Sequence, residues 1–242
     1  MDIKETDVLG DDIVNHWYYR SKAMAMTRLL ARTRIRSILD VGAGSGFFSR
    51  HLLLQSEAAE AWCVDINYDH DSDAMAAGKP VHFRRSIDSA DVDLVLLMDV
   101  LEHVDDDIGL LMEYAGKVPP GSLFLISVPA FQFLWSHHDI FLEHRRRYTL
   151  RQIEGVARRA GLDVEQGMYY FGAVFPIAAA IRITGKLFRG IRKPHTDLKP
   201  HHPIVNEALA ALSRAELRLS RHNRLAGLTA FCLARNGKHG IE

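Results

Sequence analysis

A short apolar run that ends in a carboxylate and opens onto three closely spaced glycines constrains this chain more than any other stretch. It reads Ile38-Leu39-Asp40-Val41-Gly42-Ala43-Gly44-Ser45-Gly46. Ile38 to Val41 has the character of a buried parallel strand. Gly42, Gly44 and Gly46 make a tight turn, and Phe47 to Gln55 reads as a short helix. A strand, glycine turn and helix in that order let a nucleotide-like ligand approach the backbone closely, at a helix N-terminus rich in unpaired N–H groups. Asp40 at the strand end faces that pocket. A carboxylate there repels a pyrophosphate, which disfavours a nicotinamide dinucleotide, and it suits a cationic amino acid group.

The rest of the chain extends the same alternation. A helix is expected over 12–34, lying over the cleft, with Trp17, Met24 and Leu30 inward and Arg20, Lys22 and Arg28 outward. Ala61 to Val64 is the second strand and ends at Asp65, a carboxylate able to accept both hydrogen bonds of a diol. A further helix closes at Met75 to Gly78, before a short strand Val81 to Phe83. Val92 to Met98 is a fourth strand, ended by Asp99; a helix at 106–117 and the turn Pro119-Pro120-Gly121 lead to a fifth, Leu123 to Val128. Five parallel strands separated by helices imply an α/β, doubly wound sheet that binds ligands at the strands' carboxyl ends. Asp40, Asp65 and Asp99 all lie at that edge. Thr149 caps a helix ending at Gly161, and Leu162 to Tyr169 and Leu228 to Ala234 complete a seven-stranded, mostly parallel sheet. The segment 171–225 is then a helical insertion between the last two strands.

Bulk properties exclude several classes. A length of 242 residues fits one large α/β domain, and a 48% hydrophobic share suffices for its core. Lys plus Arg equal Asp plus Glu at 30 each, so bulk charge does not point to nucleic acid. Cys63 and Cys232 sit in apolar runs and read as buried thiols of a reducing compartment. With acids among the first twelve residues and no run of 18 apolar ones, neither a secretory signal nor a spanning helix is expected. The expected location is the cytoplasm, including the inner face of the membrane.

The acid before the glycines, Asp65, the segment Asp99-Val100-Leu101-Glu102-His103-Val104 and the strand end Ser127-Val128-Pro129-Ala130 together resemble class I S-adenosylmethionine-dependent methyltransferases of small molecules, of the UbiE and UbiG type. The resemblance covers residues 36–170 and implies a Rossmann-like methyltransferase domain over 1–242. Its implied cofactor is S-adenosylmethionine, with S-adenosylhomocysteine as product. Asp40, Gly42, Ala43, Gly44, Gly46, Asp65 and Ile66 would bind it, with Asp65 on the ribose hydroxyls. Asp99 and Val100 would lie beside its methionine part and His103 near the transferring methyl. The chain departs from the family after the third strand, where Arg84 and Arg85 replace the usual aspartate. Ser86, Ile87 and Asp88 are left to hold the adenine.

Residues 131–148 place three histidines, two acids and three arginines among aromatics, where strand five leaves the pocket. This loop resembles a bacterial subgroup found near cell-surface glycan and lipid biosynthesis, on its tryptophan, His138-Asp139 and the later His144, Arg146, Arg147 and Tyr148. An alcohol acceptor would need its proton taken as the new bond forms, and His138 or His144 is the candidate base, with Asp139 fixing the other's tautomer. Trp135, Asp139, Arg146, Arg147 and Tyr148 would contact the substrate, an arginine clamping an acidic group. A salt-bridged loop joining Arg145 to Arg147 with Glu143 and Asp139 stays open as the alternative. His137, His138, Asp139 and His144 lack a known ligand spacing, so no metal is expected.

Phe171 to Ile183 is apolar, broken by Pro176, and runs into Arg182, Lys186, Arg189, Arg192 and Lys193. That pattern over 171–193 fits an interfacial anchor on anionic lipid or a lid over the pocket. An amphipathic helix at Ile204 to Leu219 would pack the insertion back onto the sheet. The expected activity is O-methylation of a small-molecule or lipid-linked glycan acceptor. N- or C-methylation of a metabolite, and a non-catalytic cofactor-binding scaffold, are the rival readings. The acceptor, its methylated atom and the oligomeric state are not legible.

Overall fold

The computed structural model describes residues 10–189, 202–218 and 222–237. After a 3-10 turn at Gly10–Val14 come α1 (Trp17–Leu29), β1 (Ser37–Val41), α2 (Phe47–Gln55) and β2 (Glu60–Val64). Next follow β3 (Ser72–Ala76), β4 (Lys79–Arg84), β5 (Leu94–Met98), α3 (Asp107–Lys117) and β6 (Leu123–Pro129). The chain continues through α4 (His137–Phe141), α5 (Leu150–Arg159), β7 (Leu162–Tyr170), α6 (Phe175–Arg189), α7 (Pro203–Leu217) and β8 (Thr229–Asn236).

The strands form one sheet in the order β3-β4-β2-β1-β5-β6-β8-β7. The five from β4 to β6 are parallel. At one end β3 runs antiparallel to β4, and at the other β8 runs antiparallel to both β6 and β7. All five residues of β1 and of β5 are buried, as expected of central strands covered on both faces. One core packs α1 and α2 on the sheet through Tyr19, Met26, Phe48 and Leu52; the other packs α3 and α5 through Leu111, Ile153 and Val156. Strand order reverses between β1 and β5, so the crevice for a ligand opens where β1, β2 and β5 end. The class I methyltransferase architecture expected from the sequence is the one observed.

Two expectations fail. The sheet has eight strands, because the helix expected to close at Met75–Gly78 is an antiparallel hairpin of β3 and β4. Ala77 (φ 52°) and Gly78 (φ 74°) both take left-handed backbone, the signature of a two-residue turn whose twist suits a hairpin. The first helix is also shorter than 12–34, and Lys22 is buried, not outward.

The insertion between β7 and β8 packs back onto α1. Asn206 on α7 accepts from the Trp17 N–H (2.8 Å) and donates to the Asn15 carbonyl (3.0 Å), while Glu207 pairs with Arg20. Glu216 accepts from the N–H groups of Gly172 and Ala173, at 2.7 and 3.1 Å. From α6, Arg182 donates to the Leu134 carbonyl (3.1 Å) and the Phe175 ring meets Phe131, which ties this helix to the 131–148 loop. Of the expected basic anchor, Arg192 and Lys193 lie outside the described residues, as does Leu219, the expected end of the last helix. Among the described residues no helix is long and apolar enough to cross a membrane.

Candidate active site

The glycine turn is built by backbone. Gly42 and Ala43 donate to the Val64 carbonyl at 2.7 and 3.2 Å, which locks the turn onto the end of β2. Gly42, Gly44 and Gly46 have φ of 63°, 54° and 70°, a region costly to residues with a Cβ. At Gly42 a Cβ would also come within 2.8 Å of Val100 Cγ2. Gly46 is the N-cap of α2. Asp40 lies beneath the turn, buried, and accepts from Ser49 Oγ at 2.6 Å. Burial raises its pKa to about 6, against the opposing hydrogen bond of Ser49.

Asp65 joins turn to strand. Its Oδ2 accepts from the Gly44 N–H (3.1 Å), and its Oδ1 from the backbone and side-chain nitrogens of Asn67 (3.0 and 3.1 Å). Three donors orient the carboxylate and leave one lone pair, on Oδ2, for a further one. Tyr68 closes the same corner by donating to the Gly44 carbonyl (2.6 Å).

A cavity of about 610 Å³ opens at these strand ends. Gly42, Asp65 and Ile66 line one side, Asp99, Val100 and His103 another, and Leu110, Tyr114 and Leu142 supply apolar wall. Asp99 has left-handed backbone (φ 57°), which aspartate tolerates better than most residues, and its carboxylate pairs with the buried Lys22. Burial alone would lower the lysine's pKa; the charge of Asp99 and its hydrogen bond outweigh that and raise it.

The 131–148 loop forms the neighbouring wall around one carboxylate. Asp139 is fully buried. Its Oδ2 accepts from the Ser136 N–H (2.7 Å), and its Oδ1 from His144 Nδ1 (2.9 Å) and Arg147 Nε (2.6 Å). Burial pushes this group upward, but His144 and Arg147 prevail and hold it well below the usual carboxylate range. The segment after α4 then runs against residues 101–107. The Arg145 N–H donates to the Glu102 carbonyl (2.7 Å), Arg145 Nε to that of His103 (2.7 Å) and Arg146 Nη2 to that of Asp105 (2.9 Å). Tyr148 donates to Asp107 Oδ2 at 2.8 Å. These ties bring the His144 ring to 4.8 Å from the His103 ring, centroid to centroid and edge-on.

This geometry redistributes the expected roles. Arg147 is buried and also donates to the Ala130 carbonyl (3.1 Å), so it anchors the loop and is not a substrate clamp. Asp139 is likewise buried and turned to the loop's own residues, Tyr148 is buried against Leu101 and Asp107, and Arg146 braces the 104–107 turn. Of the salt-bridged loop left open in the sequence, the Arg147–Asp139 pair forms, while Arg145 pairs with Asp105 and Arg146 with Asp107, outside the loop. Trp135 and His138 are half-buried and absent from the cavity wall, leaving His144 as the histidine beside His103. Ser86 and Asp88 are exposed and Ile87 packs on the second core; none of the three lines the cavity.

Sequence reasoning missed two buried charges. Lys22 shares a helical face with Tyr19, Ala23 and Met26, the i, i+3, i+4, i+7 stripe that marks a buried side, and its charge concealed this. Glu102 is fully buried, and neither of its carboxylate oxygens has a hydrogen-bond partner. Burial first, and the nearby Asp99 charge second, raise its pKa well above the ordinary value. No local pattern marks it.

Comparisons with known proteins bear on the family and the fold. The family model of the methyltransferase domain matches residues 14–166. A probable S-adenosylmethionine-dependent methyltransferase of Mycolicibacterium smegmatis is 25% identical over 167 residues, a match spanning 65% of this chain and 63% of that relative. Among solved structures, one chain of the complex between the Haloferax volcanii Trm112 methyltransferase activator and a methyltransferase aligns over 100% of this chain and 100% of its own, at 18% identity and a TM-score of 0.55. A SAM-dependent methyltransferase from Archaeoglobus fulgidus aligns over 96% of this chain and 98% of its own, at 16% identity and a TM-score of 0.54. These two likenesses concern the fold. With the family model covering well over half of its length, the chain belongs to the methyltransferase domain family, as a class I S-adenosylmethionine-dependent member.

Proposed function

We propose that this protein methylates a hydroxyl of a small-molecule acceptor bound in the cavity between the glycine turn and the 131–148 loop. One observation carries the reading: a single cavity is lined on one side by Gly42 and Asp65 and on another by His103, with Glu102 and His144 clustered beside that histidine. When bound, S-adenosylmethionine supplies a methyl group activated by its sulfonium. The chain's own residues do the rest. Asp65, oriented by Gly44 and Asn67, has a lone pair left on Oδ2 for a ribose hydroxyl. The Gly42–Gly46 turn lets the ligand lie on the backbone, and Asp40 provides negative charge beneath it. Leu110, Tyr114 and Leu142 exclude water. The corner of Glu102, His103 and His144 promotes loss of the acceptor's hydroxyl proton, because a hydroxyl becomes a useful nucleophile only as that proton leaves.

We extend the reading to lipid-linked acceptors. Ile177, Ile181 and Ile183 of α6 are exposed, a helix that contacts the loop beside the cavity through Arg182 and Phe175. An apolar surface there would hold the chain at a membrane where such acceptors reside.

Calorimetric titration with S-adenosylhomocysteine tests the core of the proposal. Micromolar binding is expected, weakened at least about tenfold in Asp65→Ala as a hydrogen bond to a charged group is lost. An acceptor screen, with and without lipid-linked sugars, then reads methyl incorporation. Absence of cofactor binding by the intact protein would sink the proposal.

A further inference from the structure

Glu102, His103 and His144 each offer one metal-ligating atom, and the three atoms lie within 4.8 Å of one another. We propose that they bind a divalent metal ion at the edge of the cavity. The set differs from the loop histidines that the sequence brings to mind, because two of its members come from the turn after β5.

Three observations carry the proposal. Glu102 is fully buried with both oxygens unpartnered, a state proteins rarely leave without a ligand. Lys22, the buried cation nearby, pairs with Asp99 and makes no hydrogen bond to Glu102. His144 is prepared as a ligand: its Nδ1 is tied to Asp139 at 2.9 Å, which fixes the ring and leaves Nε2 as the donor. Asp139 is itself held by Arg147 and Ser136. A carboxylate behind a histidine, braced in its turn, is the outer shell that orients histidine ligands in metal sites. Third, His103 lines the cavity, so coordination positions left open by three protein ligands face the acceptor. Two imidazoles and a carboxylate suit manganese, iron, cobalt or zinc in the divalent state. At metal–ligand bonds of about 2.1 Å, donor atoms stand roughly 3.4 Å apart, so the side chains draw in by an ångström or so on binding.

The role of the ion rests on the methyl transfer proposed above. An acceptor hydroxyl that joins the ion becomes more acidic. Its O–H bond breaks with the proton passing to water, and the oxygen keeps the electron pair. That pair forms the new O–C bond as the methyl's C–S bond breaks, its electrons remaining on sulfur and cancelling the sulfonium charge. On this account His144 is a ligand and not itself the base, and the acceptor presents a hydroxyl able to coordinate.

The test uses the purified full chain stripped with a chelator and titrated with Co²⁺, followed by visible d–d absorption and calorimetry. One ion per chain is expected. Glu102→Gln, which preserves shape, and His144→Ala should weaken binding at least about 100-fold, and Asp139→Asn about 10- to 100-fold. Circular dichroism confirms that each variant is folded, and His103→Ala at a half-buried position carries the test if Glu102→Gln is not. Binding of far less than one Co²⁺ per chain, or binding unchanged in the ligand variants, overturns the site. S-adenosylhomocysteine titration of the same metal-free samples reports on the methyltransferase reading independently. If that ligand binds and cobalt does not, only the metal site falls. If cobalt binds and that ligand does not, the site stands and its catalytic role falls.

Discussion

Two walls of one cavity are made by opposite means. The glycine turn at 42–46 is shaped by backbone: three left-handed residues and N–H groups aimed at β2, with side chains nearly absent. The 131–148 wall is shaped by side chains, with Asp139 gathering Ser136, His144 and Arg147 in a buried network. On the function proposed above, the first wall would seat the cofactor's nucleoside, and it carries few side chains able to do chemistry. The second spends most of its polar residues on holding a single histidine in place. Abundant polar side chains in a pocket loop are therefore poor evidence of substrate contact.

The difference can be broken most severely at Asp139. Asp139→Ala leaves the buried Arg147 without its partner and should cost about 3–5 kcal/mol of stability, read by chemical denaturation. If instead the loss is below about 1 kcal/mol, the network is ornamental and the loop is held by packing. Next, Gly42→Val should cost about 1–3 kcal/mol through strained backbone and the clash with Val100, and should abolish S-adenosylhomocysteine binding. Retained binding would show that the turn can relax and that backbone does not set this wall. The smallest effect is expected at Asp40. Its folded-state pKa of about 6 lies above its ordinary value of 3.8, so this group favours the folded state most in acid and loses that contribution as pH rises through about 6. A cationic ligand asks for the opposite, ionised form. Cofactor affinity should therefore rise several-fold between about pH 5 and pH 8, and the rise should vanish in Asp40→Asn. A flat profile would leave Asp40 as a prop for Ser49 alone.

The same contrast explains what the sequence disclosed. The glycine turn, the strand-end acids and the Thr149 cap are local devices, and each lies where its spacing implied. The β3–β4 hairpin escaped because its turn is Ala77-Gly78, which lacks the asparagine or aspartate that usually announces such turns. Lys22 was misread because a single charge outweighed a stripe that three apolar neighbours had drawn. The meeting of Glu102 with His144 was not readable at all. It depends on the 145–148 segment lying along residues 101–107, a pairing set by tertiary hydrogen bonds.

The placement of β8 bears on how the chain comes to be made. β8 lies between β6 and β7, although it follows both in sequence and pairs with β6 more than a hundred residues away, as at Leu123 and Arg235. During synthesis β6 and β7 emerge with their facing edges open, and the whole α6–α7 insertion must follow before the strand that joins them. Unpaired edges are templates for association with other chains. The insertion therefore lengthens the interval in which a nascent copy is open to pairing with its neighbours on a polysome. Chaperone dependence of expression should track insertion length more closely than the stability of the finished fold.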